Sequence, residues 1–503
     1  MHSYHFLDRG NEGAPPVGGN IKLEDGPPGD YRASGKDGPI VQRCRRNRPP
    51  LPPSQSAAAA ARWRNSAVMK AVLVAVALFT TLSLQRGTPR YIRNQTTDFS
   101  APLRFKKDGT FQISILEDLH FRRVHAWDSW GPQQDINSVK VINKVLDAED
   151  PGLVVLNGDL ITGENTFLEN STEYVDQIVG PIVARGLSWA STYGNHDHSF
   201  NVTGATILAR ERRWPNARTT QMVFGEDAGI SNYYLPVYDS ACASSKCAPE
   251  LLLWFFDSRG GWRYQKKDSK GNKVGQPDWV DVGVVNWFLQ THAELTNQHQ
   301  KTIPSLAFVH IPTNASLALQ EAGVDKHKQP GIDDDVPLAQ QAQGWCPDGR
   351  DDGTCAYGGQ DVPFMQAITT MPGLLAIFSG HDHGDTWCYK WKGVLPGMTV
   401  AGNGLNVCFG QHTGYGGYGN WERGARQVLV SRDKLREEKA VDTWIRLESG
   451  NVVGRVSLNA TYGQDTYPVT PNTKTSCPTC NYTMVTPMPA KRRRGIRANP
   501  KDI

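Results

Sequence analysis

The sequence lacks a strong excess of charge of either sign. Its 503 residues include 54 Lys and Arg against 50 Asp and Glu, so the formal net charge is only +4. Nucleic-acid-binding proteins are typically more basic and carry basic faces interleaved with aromatic residues, and we find no such face. The sequence therefore predicts no nucleic-acid partner. With 39% hydrophobic and 21% charged residues, it also lacks the composition of a chain that is disordered throughout.

A long hydrophobic run is also missing. The main uncharged apolar stretch, residues 71–84, is shorter than the roughly 20 residues that a transmembrane helix needs. We interpret residues 66–85 as a signal peptide or as a short signal anchor; a buried helix of a soluble domain is the alternative. Met69 also resembles the start of a secretory signal, in which case residues 1–68 would belong to an over-long gene model.

Basic residues precede the apolar stretch, and a polar segment follows it. This order predicts a single-pass type II membrane protein with a lumenal body, attached to the membrane through residues 66–85 if they stay uncleaved. Cleavage would give a secreted or vacuolar protein. Asn-x-Ser/Thr sequons agree with the secretory pathway, and all follow the apolar stretch: Asn94, Asn170, Asn201, Asn314, Asn459 and Asn481. We do not expect sugar on Asn314, because it lies so close to His310.

Cysteine is scarce, and only Cys44 of the nine precedes the apolar stretch. The remaining even set is typical of a disulfide-bonded secretory protein. The spacing favours three disulfides: Cys242–Cys247, Cys346–Cys355 and Cys388–Cys408. No second thiol pair accompanies Cys477 and Cys480 in a zinc pattern, so a local disulfide is favoured there.

The organisation along the chain follows from where regular patterns start and stop. Residues 1–65 are rich in Gly, Pro and charge without apolar periodicity, which predicts disorder. We then expect a linker at 86–106, one α/β domain at 107–462, and a disordered basic tail at 463–503. Large insertions are expected at 201–250 and 313–361, the second with a solvated acidic run at Asp333–Asp335.

Within residues 107–462, short apolar runs alternate with helical periodicity. The predicted strands are 113–116, 153–156, 187–192, 251–256, 306–309 and 374–378. The predicted helices begin near Ile136, Val175 and Val284. Open α/β sheets bind ligands at the carboxyl ends of their strands, so the segments that follow these strands are candidate site loops.

Five of these strand ends carry carboxylate or imidazole side chains. In chain order they read D-x-H, G-D, G-N-H-D, a lone H, and G-H-x-H. Taken singly, each would pass for a polar turn or a buried histidine, and His381-x-His383 is the best single signal because alternate strand residues share a side. Mixed oxygen and nitrogen donors suit a metal centre that handles anionic oxygen.

This ordered set resembles the calcineurin-like metallophosphoesterase family. The segments GHDHGDTWC and HTGYGGYG-WERGAR are similar to sequences of the fungal and plant branch that is related to the Dcr2 phosphatase and purple acid phosphatase 29. The resemblance covers residues 107–460. It implies two packed mixed β-sheets flanked by helices, an α/β/β/α sandwich.

The resemblance also implies a dinuclear metal centre of divalent or trivalent ions, with Fe, Mn and Zn all open. The first ion would be held by Asp118, His120, Asp159 and His383, and the second by Asp159, Asn195, His310 and His381. A metal-activated hydroxide would attack phosphorus. His196 would polarise the phosphate or protonate the leaving oxygen, and Asp197 would orient His196.

Other residues are expected near the substrate end or depart from the family pattern. His412 and Arg426 are candidate phosphate contacts, with packing between strands as the equal alternative. His198 is also placed near the mouth, and His125 is as easily a surface residue. No Tyr follows Asp159 as in purple acid phosphatases, so we predict a colourless enzyme.

Two more departures concern residues beside the ligands. Leu160 stands where many relatives have Asn, and Glu117 replaces the more usual Ser. An extra carboxylate at residue 117 would alter pH dependence or attract a cation.

Three functions remain open from the sequence. The first is a metal-dependent phosphatase that hydrolyses phosphomonoesters, either a phosphoprotein or a small phosphate ester. The second is a phosphodiesterase acting on nucleotides or lipid headgroups with the same metals. The third is a non-catalytic binding protein of the same fold, which the intact ligand set disfavours.

Overall fold

Strands and helices both occur throughout the residues that the computed structural model describes, which are 101–122, 131–242, 247–351 and 354–475. The strands are β1 (Leu103–Arg104), β2 (Thr110–Leu116), β3 (Leu153–Asn157), β4 (Trp189–Thr192), β5 (Tyr233–Tyr238), β6 (Leu251–Phe256), β7 (Trp262–Lys267), β8 (Lys273–Gly275), β9 (Ser305–Val309), β10 (Leu374–Ser379), β11 (Cys388–Val394), β12 (Ala401–Phe409), β13 (Gly424–Ser431), β14 (Val441–Leu447) and β15 (Val452–Leu458). The helices are α1 (Gly131–Ala148), α2 (Tyr174–Ala184), α3 (Gly204–Glu211), α4 (Val282–His299), α5 (Asn314–Ala322), α6 (Val362–Thr370) and α7 (Arg432–Glu437). A 3-10 turn spans Gly163–Asn165.

Both large sheets combine parallel and antiparallel strands. The seven-stranded sheet has the order β1-β5-β6-β9-β10-β12-β11, and its strands from β6 to β12 are parallel. The six-stranded sheet has the order β15-β14-β13-β2-β3-β4, with β2, β3 and β4 parallel. Strands β7 and β8 form a separate hairpin.

Alternation of side chains along β6 shows why the sheets pack into four layers. Leu251, Leu253 and Phe255 point into a core that also contains Ile113 and Leu153 of the other sheet. Leu252, Trp254 and Phe256 face the opposite way, into a core with α4 and α6. Helices α1, α2 and α3 cover the outer face of the six-stranded sheet. The predicted α/β/β/α sandwich is confirmed.

All six predicted strands are present, and the three predicted helices correspond to α1, α2 and α4. The three disulfides are also confirmed at Cys242–Cys247, Cys346–Cys355 and Cys388–Cys408. The last of these joins register partners of the antiparallel pair β11 and β12.

Three predicted boundaries differ from the structure. Strand β1 lies inside the expected linker and pairs with β5, so the folded part starts before residue 107. Strand β5 itself lies inside the expected 201–250 insertion and is a member of the seven-stranded sheet. Residues 463–475 were assigned to a disordered tail, yet Thr470 is buried and Lys474 bridges to Trp421.

The acidic run Asp333–Asp335 is only partly the solvated loop that we predicted: Asp334 is exposed, whereas Asp333 and Asp335 are half-buried. Asp333 accepts hydrogen bonds from the Trp387 indole and from Gln320. Asp334 accepts from the Trp421 indole at 2.8 Å and forms an ion pair with Lys474. The run therefore contacts α5 and the segments that precede β11 and β13, because indole and amide donors there satisfy its carboxylates.

Several predictions fall outside the described residues: the 1–65 region, the 66–85 segment, His125, Cys44, Cys477, Cys480, Asn94 and Asn481. Among the helices of the described ranges, none combines the length and apolar character needed to cross a bilayer.

Candidate metal centre

Five parallel strands from both sheets end at one place. Strands β2, β3 and β4 deliver the segments with Asp118, Asp159 and Asn195, while β9 and β10 of the other sheet deliver His310 and the His381-x-His383 pair. The predicted ligands, which are separated by up to 265 positions in sequence, therefore meet at the carboxyl edge shared by the sheets.

The backbone at this edge is held in an unfavourable conformation. Asp118, His120, Asp159 and His381 all have positive φ, between 49° and 78°. Such a conformation costs a non-glycine residue on the order of 1–2 kcal/mol and persists where the surroundings impose it, typically at functional sites. It turns these four side chains inward.

A first group of candidate donors comprises Asp118, His120 and His383, all buried. The Nε2 atoms of His120 and His383 are 3.1 Å apart, and His383 Nε2 is 3.6 Å from Asp118 Oδ1. His120 Nε2 also lies 3.7 Å from Asp159 Oδ2. Two imidazoles and two carboxylates thus converge on a volume suitable for one cation.

A second group comprises Asp159, His310 and His381. His310 Nε2 is 3.1 Å from Asp159 Oδ2 but makes no hydrogen bond. The side-chain oxygen of Asn195 is also buried without a partner among the described residues. Unpaired buried donor atoms are costly unless a ligand satisfies them, so their presence favours a bound ion. Asp159 belongs to this second group and also lies 3.7 Å from His120 of the first group.

Three of the candidate histidine ligands are oriented by polar groups that contact their Nδ1 atoms on the side away from the centre. His310 Nδ1 lies 2.9 Å from the Asn157 carbonyl, and His383 Nδ1 lies 2.9 Å from the Tyr418 carbonyl. His120 Nδ1 lies 3.2 Å from the Thr162 hydroxyl. Each contact leaves Nε2 directed at the centre, as the outer partners of metal-binding histidines do.

Two glycines permit the close approach of these segments. A Cβ on Gly194 would lie 2.2 Å from Asp159 Oδ1, and one on Gly158 would lie 2.4 Å from His310 Nδ1. Neither contact is sterically possible, so the G-D and G-N-H-D motifs need glycine where it stands.

Electrostatics divide the groups into charged and neutral donors. Burial opposes ionisation of Asp159, but His310 and His196 hold its pKa well below the ordinary value. Burial, aided by neighbouring His310, lowers the pKa of His381 to about 3, and burial also lowers that of His120. Burial opposes the charged form of His310, yet Asp159 and Asp118 raise the pKa of His310 to about 10. An anionic Asp159 beside the neutral imidazoles of His120 and His381 is a suitable environment for cations.

His196 is partly exposed to solvent, with 34% of its side chain accessible. Its Nδ1 lies 2.6 Å from Glu164 Oε1, and its Nε2 lies 4.0 Å from Asp159 Oδ2. Although partial removal from water disfavours the imidazolium, Glu164 and Asp159 raise the pKa of His196 to about 10. The site therefore presents a cation at its opening.

Asp197 does not orient His196, and that prediction is wrong. Its carboxylate accepts hydrogen bonds from the backbone N–H groups of Leu160, Ile161 and Gly194. Asp197 thus ties the second and third motif loops together, whereas Glu164 is the carboxylate that contacts His196. Sequence reasoning missed Glu164, which lies on the 3-10 turn after Asp159 and belongs to no motif.

The two proposed phosphate contacts are also misplaced. Arg426 is buried, and its guanidinium donates to the carbonyls of Phe409 and Thr386 and to the Thr443 hydroxyl. His412 is buried behind His383, with ring centroids 3.9 Å apart. Neither side chain is available to a substrate, so the packing alternative is correct for both.

His198 and Glu117 are buried as well. His198 lies 3.1 Å from Asp257 and not at the mouth as predicted. Glu117 lies beneath the centre, where Asn157 donates to it at 3.2 Å. Burial and the adjacent Asp118 raise the pKa of Glu117 well above its ordinary value.

The glycine-rich stretch before β13 contributes one wall of the opening. Tyr418 stacks on His383 with centroids 4.0 Å apart, and its hydroxyl donates to Asp335. Arg423 supports this wall by donating to the carbonyls of Trp421 and Gly419. The role of Tyr418 was not predicted from the sequence.

Comparison with known proteins agrees with this arrangement. Probable inactive purple acid phosphatase 29 of Arabidopsis thaliana is 26% identical over 69% of this chain and 84% of its own length. Phosphatase DCR2 of Saccharomyces cerevisiae is 24% identical over 60% of this chain and 49% of its own length.

Solved structures that match the chain are more distant in sequence. A dimetal phosphatase from Danio rerio matches 69% of this chain and 98% of its own at 11% identity, with a TM-score of 0.41. Purple acid phosphatase PPD1 from yellow lupin matches 71% of this chain and 54% of its own at 11% identity, with a TM-score of 0.37.

The family described as calcineurin-like phosphoesterase matches residues 115–385, which is more than half of the chain and includes every candidate ligand from Asp118 to His383. The five strand-end motifs and the shared aspartate all lie within that range. The chain therefore belongs to the calcineurin-like phosphoesterase family.

Proposed function

We propose that this protein is a metal-dependent phosphatase that hydrolyses phosphomonoesters at a dinuclear centre. The observation that carries the proposal is the shared position of Asp159, between one group with Asp118, His120 and His383 and another with His310 and His381. The unpaired oxygen of Asn195 completes the second group. Two bound ions would supply Lewis acidity toward phosphate oxygens and a nucleophile derived from water.

The side chains around the ions have separate tasks. Asp159 supplies the anionic charge that both cations need, while the neutral imidazoles of His120 and His381 supply donor atoms without adding positive charge. His196, held by Glu164, places an N–H at the solvent-facing side of the centre. That N–H binds a phosphate oxygen or gives its proton to the leaving oxygen.

A monoester is favoured over a diester by charge. A monoester dianion carries one more negative charge than a diester, and the exposed His196 imidazolium complements it. The printed names of the relatives, purple acid phosphatase and phosphatase, support the same choice. Turnover of p-nitrophenyl phosphate should exceed that of bis(p-nitrophenyl) phosphate by at least about tenfold in kcat/KM. Equal or greater turnover of the diester would overturn the proposal in favour of a phosphodiesterase.

A binding protein without activity is the remaining alternative, since three plant relatives bear the name probable inactive purple acid phosphatase. Here the ligand set and His196 are complete. Purified protein should contain about two metal ions per chain, and Asp159→Asn should lose both because it removes the shared ligand. Asp197→Asn, a matched change of a buried carboxylate outside the ligand groups, should retain more metal than Asp159→Asn. A wild-type protein with metal but no turnover would contradict the enzyme assignment.

We further propose Fe, Mn or Zn as the metals and a colourless protein. The donors are oxygen and nitrogen, and the six described cysteines are all in disulfides, so no thiolate among them is available. No Tyr follows Asp159 directly, so a phenolate ligand is not expected there. Elemental analysis identifies the ions, and a visible charge-transfer band in the metal-loaded protein would contradict the expectation.

A further inference from the structure

A basic hairpin stands beside the candidate metal centre. It comprises β7, β8 and the turn between them, residues 262–275, and its turn is fully exposed. It carries five basic side chains, Arg263, Lys266, Lys267, Lys270 and Lys273, and one acidic side chain, Asp268. This density of positive charge contrasts with the near balance of the whole chain.

The four lysines are not neutralised within the protein. Arg263 is paired with Asp227 at 3.0 Å, but no carboxylate of the described ranges forms an ion pair with a lysine of the hairpin. Asp268 is engaged in the turn, where it accepts from the backbone of Lys270 and Asn272. The positive charge is therefore available to an external anion.

Two of the lysines are held close to each other. Lys267 and Lys273 are register partners across the hairpin, and like charges placed opposite each other destabilise a strand pair. Both ammonium groups lie over the Phe200 ring, at 5.6 Å and 5.7 Å from its centroid. The aromatic ring partly offsets the repulsion and keeps both charges on one side. An anionic partner would offset the remainder.

The root of the hairpin is attached to the loop that carries Asn195 and His196. The Trp262 N–H donates to the His198 carbonyl at 2.7 Å. A Cβ on Gly261 would lie 2.1 Å from the Asn195 carbonyl oxygen, so the two segments are in direct contact. With a rise of about 3.3 Å per residue, Lys266 and Lys267 lie about 13–17 Å along the strand from Trp262.

These distances favour a long anionic ligand. A small phosphate ester bound at the metals would not reach the lysines, whereas an extended polypeptide would place residues about four to eight positions from its phosphorylated side chain beside them. The turn, Asp268-Ser269-Lys270-Gly271, has no apolar side chain to insert into a membrane interface. An acidic polypeptide is thus the favoured occupant over a lipid surface.

We propose that the hairpin binds an acidic segment next to the phosphorylated residue of a protein substrate. This rests on the proposed phosphatase function and narrows its substrate class to phosphoproteins with acidic flanks. The metal ligands determine the reaction. The hairpin selects among phosphorylated polypeptides, because its lysines attract substrate carboxylates that lie beside them and so raise kcat/KM.

The test compares three substrates: a phosphoserine peptide with acidic residues about four to eight positions from the phosphoserine, the same peptide with those residues changed to Gln, and p-nitrophenyl phosphate. Wild type should prefer the acidic peptide by about tenfold in kcat/KM, and the preference should shrink as salt is raised.

The variant Lys266→Glu/Lys267→Glu/Lys270→Glu should abolish the preference and leave p-nitrophenyl phosphate turnover unchanged. The control Lys140→Glu/Lys144→Glu/Lys326→Glu, with the same charge change on other exposed sites, should keep the preference.

The outcomes separate the proposals. Turnover of p-nitrophenyl phosphate without a peptide preference in wild type overturns the role of the hairpin and leaves the phosphatase function standing. Absence of turnover of all substrates overturns the phosphatase function itself. Equal loss of preference in the control variant overturns a local role for the hairpin. Loss of binding to phosphatidylserine vesicles in the hairpin variant, with peptide preference intact, overturns the polypeptide as occupant and assigns the surface to a membrane.

Discussion

Under the proposed function, the pairing of His196 with Glu164 would supply the acid at the opening of the centre. Because Glu164 contacts Nδ1, the proton on Nε2 is directed toward the metal side, where Asp159 lies 4.0 Å away. Glu164 is thus a positioning residue for His196. It acts through hydrogen bonding and charge, and it contacts none of the candidate metal ligands of the two groups.

Changing Glu164→Gln should therefore lower kcat/KM for p-nitrophenyl phosphate by about 10–100-fold, and His196→Ala by about 10²–10⁴-fold. Metal content should stay that of wild type in both variants. The double variant should be no slower than His196→Ala alone, because Glu164 acts through the imidazole. Glu169→Gln, an exposed change on the following turn, is the control. Additive losses in the double variant would contradict a shared role.

The candidate ligands could be identified from the sequence because each follows a buried strand. At that position the type of side chain is enough to mark a residue as a candidate ligand. Asp197, Arg426 and His412 were misjudged for one physical reason, namely that their partners are backbone groups or stacked rings from distant segments. Contacts with backbone groups cannot be read from a sequence, because every residue carries the same backbone. Glu164 was missed because only the fold brings the 3-10 turn to His196.

At the level of strands, Arg426 joins the two sheets. It stands on β13 of the six-stranded sheet and donates to Phe409, the last residue of β12 in the seven-stranded sheet. It also donates to Thr386, which precedes β11. A buried guanidinium whose three nitrogens each donate to a protein oxygen fixes the spacing of the sheets at the edge where the metal centre lies.

Arg426→Met should lower the free energy of unfolding by about 3 kcal/mol or more, because it leaves buried carbonyl groups without donors. Chemical denaturation measures this loss, and KM for p-nitrophenyl phosphate should not change in the folded fraction. Arg436→Met, at an exposed ion pair with Glu250, should change stability by less than about 1 kcal/mol. A rise in KM without loss of stability would restore Arg426 as a phosphate contact.

The predicted elements are those in which a continuous apolar run precedes a polar motif, as in Leu153–Asn157. Strand β5 was missed because Pro236 interrupts its pattern, and proline normally argues against an internal strand. Strand β11 was missed because much of it is half-buried or exposed, so its apolar periodicity is weak. Antiparallel edges of this kind depend on a neighbour that only the tertiary fold supplies.

For the whole molecule, we propose that the described domain is lumenal in the secretory pathway. Its three disulfides fit an oxidising compartment. Among the described sequons, Asn201 donates its amide to the Thr166 carbonyl, whereas the Asn459 side-chain oxygen accepts from Thr461 and leaves the amide side half-exposed.

Asn459 should therefore carry a glycan when the protein is made in eukaryotic cells. Asn459→Gln should shift the protein to lower mass on a denaturing gel, and enzymatic deglycosylation should abolish the difference from wild type. Asn201→Gln is the matched control and should not shift. Absence of any deglycosylation shift in wild type would contradict the lumenal proposal, and carbonate extraction separates an anchored from a soluble form.

Asp118 and Asp159 follow strands of one sheet, whereas His310, His381 and His383 follow strands of the other. Any movement that parts the sheets at this edge must also divide the ligand set, so ion release and loosening of the sandwich are one event. Bound metal would then stabilise the packing of the two sheets, and chelators would speed unfolding of the protein. The rate at which a chelator strips the ions becomes a direct gauge of how often the two halves open.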